Sequence, residues 1–245
     1  MLSKTHTKYI QSLHHKKFRD EDNRFIAEGT KVVPELLSSE IFQCVELYAL
    51  KEWMSENEVF IRKYYKGPLE VIEPFELEKI STLSTPNKVF AVFRQETAIP
   101  VDAKGKIVLA LDDIRDPGNL GTIIRIADWF GIEHIVCSLH TADRYNPKVI
   151  QSTMGSLSRV NVLYTDLELW LQAQPVSVYA TTLNGKPLAT IKGIKEGIIV
   201  IGNESKGISE DVLQHCTHQI TIPRVGHAES LNAAVATGII ASYLI

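Results

Sequence analysis

Three segments of this chain carry the residue types that position a reacting group. Asp116-Pro-Gly-Asn-Leu-Gly-Thr-Ile-Ile-Arg125 offers the amide of Asn119 and the guanidinium of Arg125. Ile201-Gly-Asn-Glu-Ser-Lys-Gly-Ile208 offers the carboxylate of Glu204 between two glycines, Gly202 and Gly207. Ile220-Thr-Ile-Pro-Arg-Val-Gly-His-Ala-Glu-Ser-Leu-Asn-Ala-Ala-Val-Ala-Thr-Gly-Ile239 offers the hydroxyl of Ser230 and the amide of Asn232. Polar side chains at a helix start either cap it or hold a ligand. The plain alternatives stay open: Asn119 as a helix cap, Arg125 as a surface charge, Glu204 as a solvent-exposed loop acid, and Ser230 to Asn232 as a capped C-terminal helix.

Other chemistries have no support. Gly118-x-x-Gly121 lacks the full dinucleotide fingerprint, and no Gly-Lys-Ser/Thr phosphate loop is present. Cys44, Cys137 and Cys216 are far apart and form no Cys-x-x-Cys pair, so neither a disulfide framework nor a zinc site is expected, and no metal. That cysteine usage suits a reducing cytoplasm. No apolar run reaches the roughly 18 residues that span a bilayer, and no charged and apolar leader opens the chain, which argues against membrane insertion and secretion.

The elements that must position the three segments alternate between strand and helix. Lys106–Leu111 reads as a buried strand, followed by Ile132–Cys137, Val176–Thr181, Gly197–Ile201 and His218–Ile222. Helical patterns lie between most of them, which points to a largely parallel sheet. A helix starts near Asn119, buries Leu120, Ile123, Ile124 and Ala127, and stops at Gly131. Each segment then falls at the carboxyl end of a strand, where open parallel sheets bind ligands. Earlier in the chain, residues 8–18 carry Ile10, Leu13 and Phe18 at near-helical spacing. Phe25–Glu28 reads as a strand, Lys31–Leu37 as a helix, Val45–Leu50 and Val59–Ile61 as strands, Phe75–Leu83 as a helix and Val89–Phe93 as a strand. The polar stretch Arg94–Gly105 reads as a linker.

The chain has 245 residues, 44% of them hydrophobic and 22% charged, an ordinary globular composition with room for one large or two small domains. Its formal net charge of −3 argues against nucleic-acid binding, but distribution outweighs the sum. The first 19 residues hold Lys4, Lys8, Lys16, Lys17, Arg19 and three histidines, and no acid. They read equally well as a solvated tail and as an RNA-binding, phosphate-contacting segment.

The three segments, in this order, resemble the three motifs of the SpoU/TrmH family of RNA ribose 2′-O-methyltransferases, within the SPOUT superfamily. The resemblance runs from about Lys106 to the end of the sequence, and Gln151-Ser-Thr-Met-Gly-Ser156 looks like the family's small-residue segment between the first two motifs. Residues 12–19 and 25–30 resemble the RNA-binding, ribosomal-protein-like domain that many members carry. The implied fold is α/β: a small α/β domain over 1–95, a linker over 96–105, and over 106–245 a methyltransferase domain with a parallel sheet and a deep trefoil knot. The resemblance implies S-adenosylmethionine as cofactor, held by the backbones at Gly202, Ile222 and Leu231 with help from Thr181, Thr182 and Leu183, and action as a homodimer. It gives Arg125 the task of activating the hydroxyl. Arginine loses its proton only above about pH 12, so the chemistry favours a cation that stabilises the developing alkoxide. Asn119 and Glu204 would orient it, and Ser230 and Asn232 would shape the pocket. Arg224 and Ala233 stand where many members have methionine and valine, and neither change removes a proposed functional group. Ribosomal RNA is the expected substrate; transfer RNA, and a non-enzymatic RNA-binding or ribosome-assembly role, are the alternatives.

Overall fold

The computed structural model describes residues 2–245, which divide into two compact units: residues 2–97 with 145–158, and 98–144 with 159–245. The first opens with α1 (Lys4–Ser12), capped by the Ser3 hydroxyl, and α2 (Lys16–Asp22). β1 (Arg24–Glu28), α3 (Val32–Ser38), β2 (Cys44–Ala49), α4 (Lys51–Glu56), α5 (Glu58–Tyr64), β3 (Leu69–Val71), α6 (Pro74–Ile80) and β4 (Val89–Arg94) follow. The sheet order is β1-β4-β2-β3, antiparallel at β4 and parallel between β2 and β3. One face buries Ile26, Tyr48, Phe90 and Val92 against Ile10 and Leu13 of the first helical segment and Leu77 and Ile80 of α6. The Glu28 carboxylate, buried at the end of β1, accepts from the Thr82 backbone N–H (3.0 Å) and from the Ser81 and Thr82 hydroxyls, fixing the chain where α6 ends.

The second unit runs β5 (Ile107–Leu111), α7 (Pro117–Trp129) and β6 (His134–Cys137). The chain then returns to the first unit for α8 (Pro147–Thr153) and a short 3-10 turn (Ser156–Ser158). It resumes with β7 (Asn161–Tyr164), α9 (Leu167–Gln172), β8 (Val178–Pro187), β9 (Gly197–Ile201), α10 (Glu210–Leu213), β10 (His218–Thr221) and α11 (Ala233–Leu244). The sheet order is β10-β8-β9-β5-β6-β7, and every pair is parallel. Side chains alternate across it: Val108, Ala110, Ile198 and Val200 pack on Leu167 and Leu171 of α9 and Val212 of α10. α7 packs on α11, whose alanines and glycine permit close approach.

Several expectations need correction. Val59–Ile61 is helical: Ile61 N–H bonds to the Asn57 carbonyl, Arg62 pairs with Glu58 one turn back, and Val59 is 84% exposed, so no apolar strand face exists there. Three short elements, α4, β3 and β7, carry too few residues for a periodic signal. The helix expected over 8–18 is two helices broken at residues 13–15. Arg94–Gly105 is not a free linker, because Val101 and Ala103 are buried in the second unit and Trp170 Nε1 donates to the Val101 carbonyl at 3.0 Å. Residues 145–158, assigned by sequence to the C-terminal domain, belong to the first unit: the Tyr145 ring stacks on Phe25 at 4.6 Å, and Gly155 lies against the Glu35 side chain with no room for a Cβ.

Arg19 differs from its expected role as well. It is 1% exposed, and its Nη1 donates to the carbonyls of Leu13 (3.0 Å) and His14 (2.9 Å), tying α2 to the end of α1. It is therefore a structural cation and is not presented to RNA phosphates. Lys4, Lys8, Lys16 and Lys17 are exposed, the last two beside Asp20 and Glu21. Arg19→Ala strands these buried carbonyls, at about 1–3 kcal/mol. Urea denaturation is expected to show that loss, with RNA affinity of the folded variant unchanged.

Candidate active site at the carboxyl ends of the strands

Because all six strands of the second unit are parallel, the loops after β5, β9 and β10 emerge at one edge. The three sequence segments are these loops, and one hydrogen-bond chain joins them. Asn119 Nδ2 donates to Glu204 Oε1 at 2.5 Å, and Asn232 Nδ2 donates to Asn119 Oδ1 at 2.8 Å. Asn232 Oδ1 in turn accepts from the backbone N–H groups of Ala234 and Val235, capping α11. Each amide has one donor and one acceptor end, so the carboxylate fixes the orientation of Asn119, and Asn119 fixes that of Asn232.

Asn119 is free for this because it does not cap α7. The cap is Asp116, whose carboxylate accepts from the Asn119 backbone N–H at 2.8 Å, with Pro117 as the first helical residue. Sequence reading had the helix start near Asn119 and left capping as its alternative role. The same helix carries Arg125, exposed and with no hydrogen bond or ion pair among the described residues. Asn119 and Glu204 thus bond to each other and not, as expected, to Arg125. Ser230 is exposed in the loop before α11.

Residues that sequence reading missed hold the loops. Asp112, buried at the end of β5, accepts from the Ser209 N–H (2.7 Å) and hydroxyl (2.8 Å). Asn203 Nδ2 donates to the Asp113 carbonyl at 2.8 Å, and the Asp113 N–H donates to the Ser138 hydroxyl at 2.9 Å. Asp113 has φ +62°, a left-handed conformation uncommon outside glycine. Its carboxylate grips Arg115 and holds that guanidinium in the charged form. Asn203 and Gly207 exchange both backbone hydrogen bonds at 2.9 Å, closing the Glu204 loop on itself. A Cβ on Gly202 would sit 2.3 Å from the Gly207 carbonyl carbon, so only glycine fits there. The adjacent Asp112 and Asp113 were the one available signal, but a pair of acids after a strand has no fixed meaning.

The structure also tests whether a cofactor fits where the resemblance places it. Along β8 and β10 the register jumps from Ala180↔Gln219 to Lys186↔Ile220, skipping residues 181–185. Gly185 makes this possible, since a Cβ there would lie 2.5 Å from the Ile220 backbone. Thr181 bonds its hydroxyl to the Val200 carbonyl at 2.9 Å, whereas the buried Thr182 hydroxyl has no partner among the described residues. Leu183 and Leu231 are exposed apolar side chains, and Ile222 is half-buried. An unpaired buried hydroxyl among released backbone and exposed aliphatics suits a ligand with polar and flat apolar parts. These residues fit S-adenosylmethionine.

Residues 106–242 match the SpoU rRNA Methylase family, and residues 4–91 match the MRM3-like substrate binding domain. The chain belongs to the SpoU rRNA Methylase family. A similar relative is the 23S rRNA (guanosine(2553)-2'-O)-methyltransferase RlmP of Bacillus subtilis, 32% identical, with 96% of this chain and 93% of that protein covered. Among solved structures, an AdoMet-bound rRNA methyltransferase from Sinorhizobium meliloti is 32% identical with a TM-score of 0.87, covering 100% of this chain and 96% of that one. A TrmH-family protein from Porphyromonas gingivalis is 35% identical with a TM-score of 0.85, covering 100% and 98%. For a SpoU member, the three motifs are here one bonded unit. Asn232→Ala removes both the α11 cap and the bond to Asn119. The expected result is about 1–2 kcal/mol lower stability in thermal unfolding and a methyl-transfer rate at least tenfold lower than wild type.

Proposed function

We propose that this protein transfers a methyl group from S-adenosylmethionine to a ribose 2′-hydroxyl of ribosomal RNA. The Glu204–Asn119–Asn232 chain carries the reading, because it builds one polar site from three separate loops. Thr181, Thr182, Leu183, Gly202, Ile222 and Leu231 hold the cofactor, which when bound supplies an electrophilic methyl on a positively charged sulfur. The ribose hydroxyl must be oriented for in-line attack and must lose its proton, here to solvent. Arg125 stabilises the alkoxide as it forms; with no partner among the described residues, it is available to the substrate. Asn119 and Glu204 act by fixing the start of α11, and Ser230 contacts the substrate beside it.

The first domain brings the RNA. Lys4, Lys8, Lys16 and Lys17 form its phosphate-contacting set, supported by their exposure and by the match of residues 4–91 to a substrate-binding domain. The protein works as a homodimer. Trp129 is 85% exposed, and Val235 and Tyr243 are 51% and 56% exposed, on two helices packed against each other. Exposed apolar side chains of this size on packed helices suit burial by a second copy. In this reading the chain after β10 also threads the 183–196 loop as a trefoil knot, supported by Gly185 against Ile220 and by the Ile194 N–H bonded to the Leu244 carbonyl at 2.7 Å. The cytoplasm is its compartment. Cys44, Cys137 and Cys216 are free, and among the described residues no helix is long and apolar enough to cross a membrane.

Labelled methyl transfer to unmodified ribosomal and transfer RNA tests the activity. Alkali-stable 2′-O-methyl dinucleotide from ribosomal RNA is expected, with Arg125→Ala about 100-fold slower or worse. Label only in transfer RNA would move the substrate, and absence of both label and cofactor binding would leave a non-enzymatic RNA-binding role. Trp129→Glu is expected to elute as a monomer in size exclusion with light scattering, where wild type elutes as a dimer; a wild-type monomer would end the dimer proposal.

A further inference from the structure

Four carboxylates, Asp112, Asp113, Asp116 and Glu204, crowd the edge where an RNA backbone must approach. A polyanion meets such a surface only if the charges are engaged or screened. Asp112 is buried on Ser209, Asp116 caps α7, and Glu204 accepts from Asn119. Asp113 is engaged by Arg115: Nε donates to Oδ1 at 3.1 Å and Nη2 lies 2.8 Å from Oδ2.

That side-on grip uses two of the five N–H donors of a guanidinium. The two on Nη1 and the second on Nη2 have no partner among the described residues, and the Arg115 side chain is 63% exposed. Asp113 is itself clamped three ways. Its N–H is bonded to Ser138, its carbonyl accepts from Asn203 next to Glu204, and its φ of +62° holds the carboxylate where Arg115 can meet it. A left-handed non-glycine residue costs free energy, and such strain gathers at functional sites. The result is a guanidinium fixed on one edge and open on the other, within the loop that leads into Asn119 and Arg125. Its open donors match the geometry of two phosphate oxygens.

We propose that Arg115, held by Asp113, is a phosphodiester-binding subsite for the RNA backbone beside the methylated ribose, separate from the lysines of the first domain. The proposal rests on the methyltransferase reading. It assigns Arg125 to the reacting hydroxyl and Arg115 to a neighbouring phosphate.

The test is direct binding of an unmodified large-subunit ribosomal RNA transcript across roughly 50–300 mM KCl, since each phosphate contact steepens the salt dependence. Arg115→Ala is expected to bind about tenfold more weakly. Its log–log salt slope should be shallower by about 0.7–1. Arg115→Lys, which keeps the charge, should retain the slope and recover part of the affinity. S-adenosylmethionine affinity should match wild type in both variants, which establishes that they are folded. Wild-type affinity in Arg115→Ala, or weaker binding with an unchanged slope, would overturn the subsite. If wild-type protein binds the RNA but transfers no methyl, the activity reading falls while the slope comparison still decides the subsite. No RNA binding by wild type would end both.

Discussion

The side-chain amide of Asn119 is the point on which the site depends. It donates to Glu204 from the loop after β9 and accepts from Asn232 at the start of α11. An amide has distinct donor and acceptor ends, so this arrangement has one sense only, set by the carboxylate. Remove the carboxylate and Asn119 has no fixed orientation; remove Asn119 and the α11 cap loses its second partner. Three loops far apart in sequence thus share one polar chain, and disorder in one is transmitted to the others.

Around this chain the backbone is held by contacts that tolerate little change. Gly202 sits where any Cβ would strike the Gly207 carbonyl carbon, and Gly185 where it would strike the Ile220 backbone. The first lets the Glu204 loop close on itself through Asn203 and Gly207. The second lets β10 skip residues 181–185, the stretch that holds the buried Thr182 hydroxyl, which has no partner among the described residues.

The two units divide the work differently. The first ties its two N-terminal helices together through the buried Arg19 and holds the end of α6 through the buried Glu28. Both charges bond within the unit, while Lys4, Lys8, Lys16 and Lys17 stay exposed. In the second unit Asp112, Asp113 and Glu204 at the strand ends all have partners. Arg125 has no hydrogen bond or ion pair among the described residues, and the proposed reading gives it to the hydroxyl that must be activated.

Much of this was legible in the residues. The buried runs at Ile107–Leu111 and Gly197–Ile201 and the glycine punctuation pointed to a parallel α/β sheet and to the edge where the three segments meet, and the order of those segments carried the resemblance to the SpoU family. These signals are local, because burial on both faces and turn chemistry are written in a few consecutive residues. Pairing across the chain is not local. Only the tertiary structure decided that Asp116 and not Asn119 caps α7, that Asn119 bonds Glu204 and not Arg125, and that Arg19 is buried. It alone joined residues 145–158 to the first unit and turned Val59–Ile61 into a helix with one buried side chain. In each case the side chain had two chemically acceptable partners or environments, and which of them lay within hydrogen-bond or packing distance was set by segments distant in sequence.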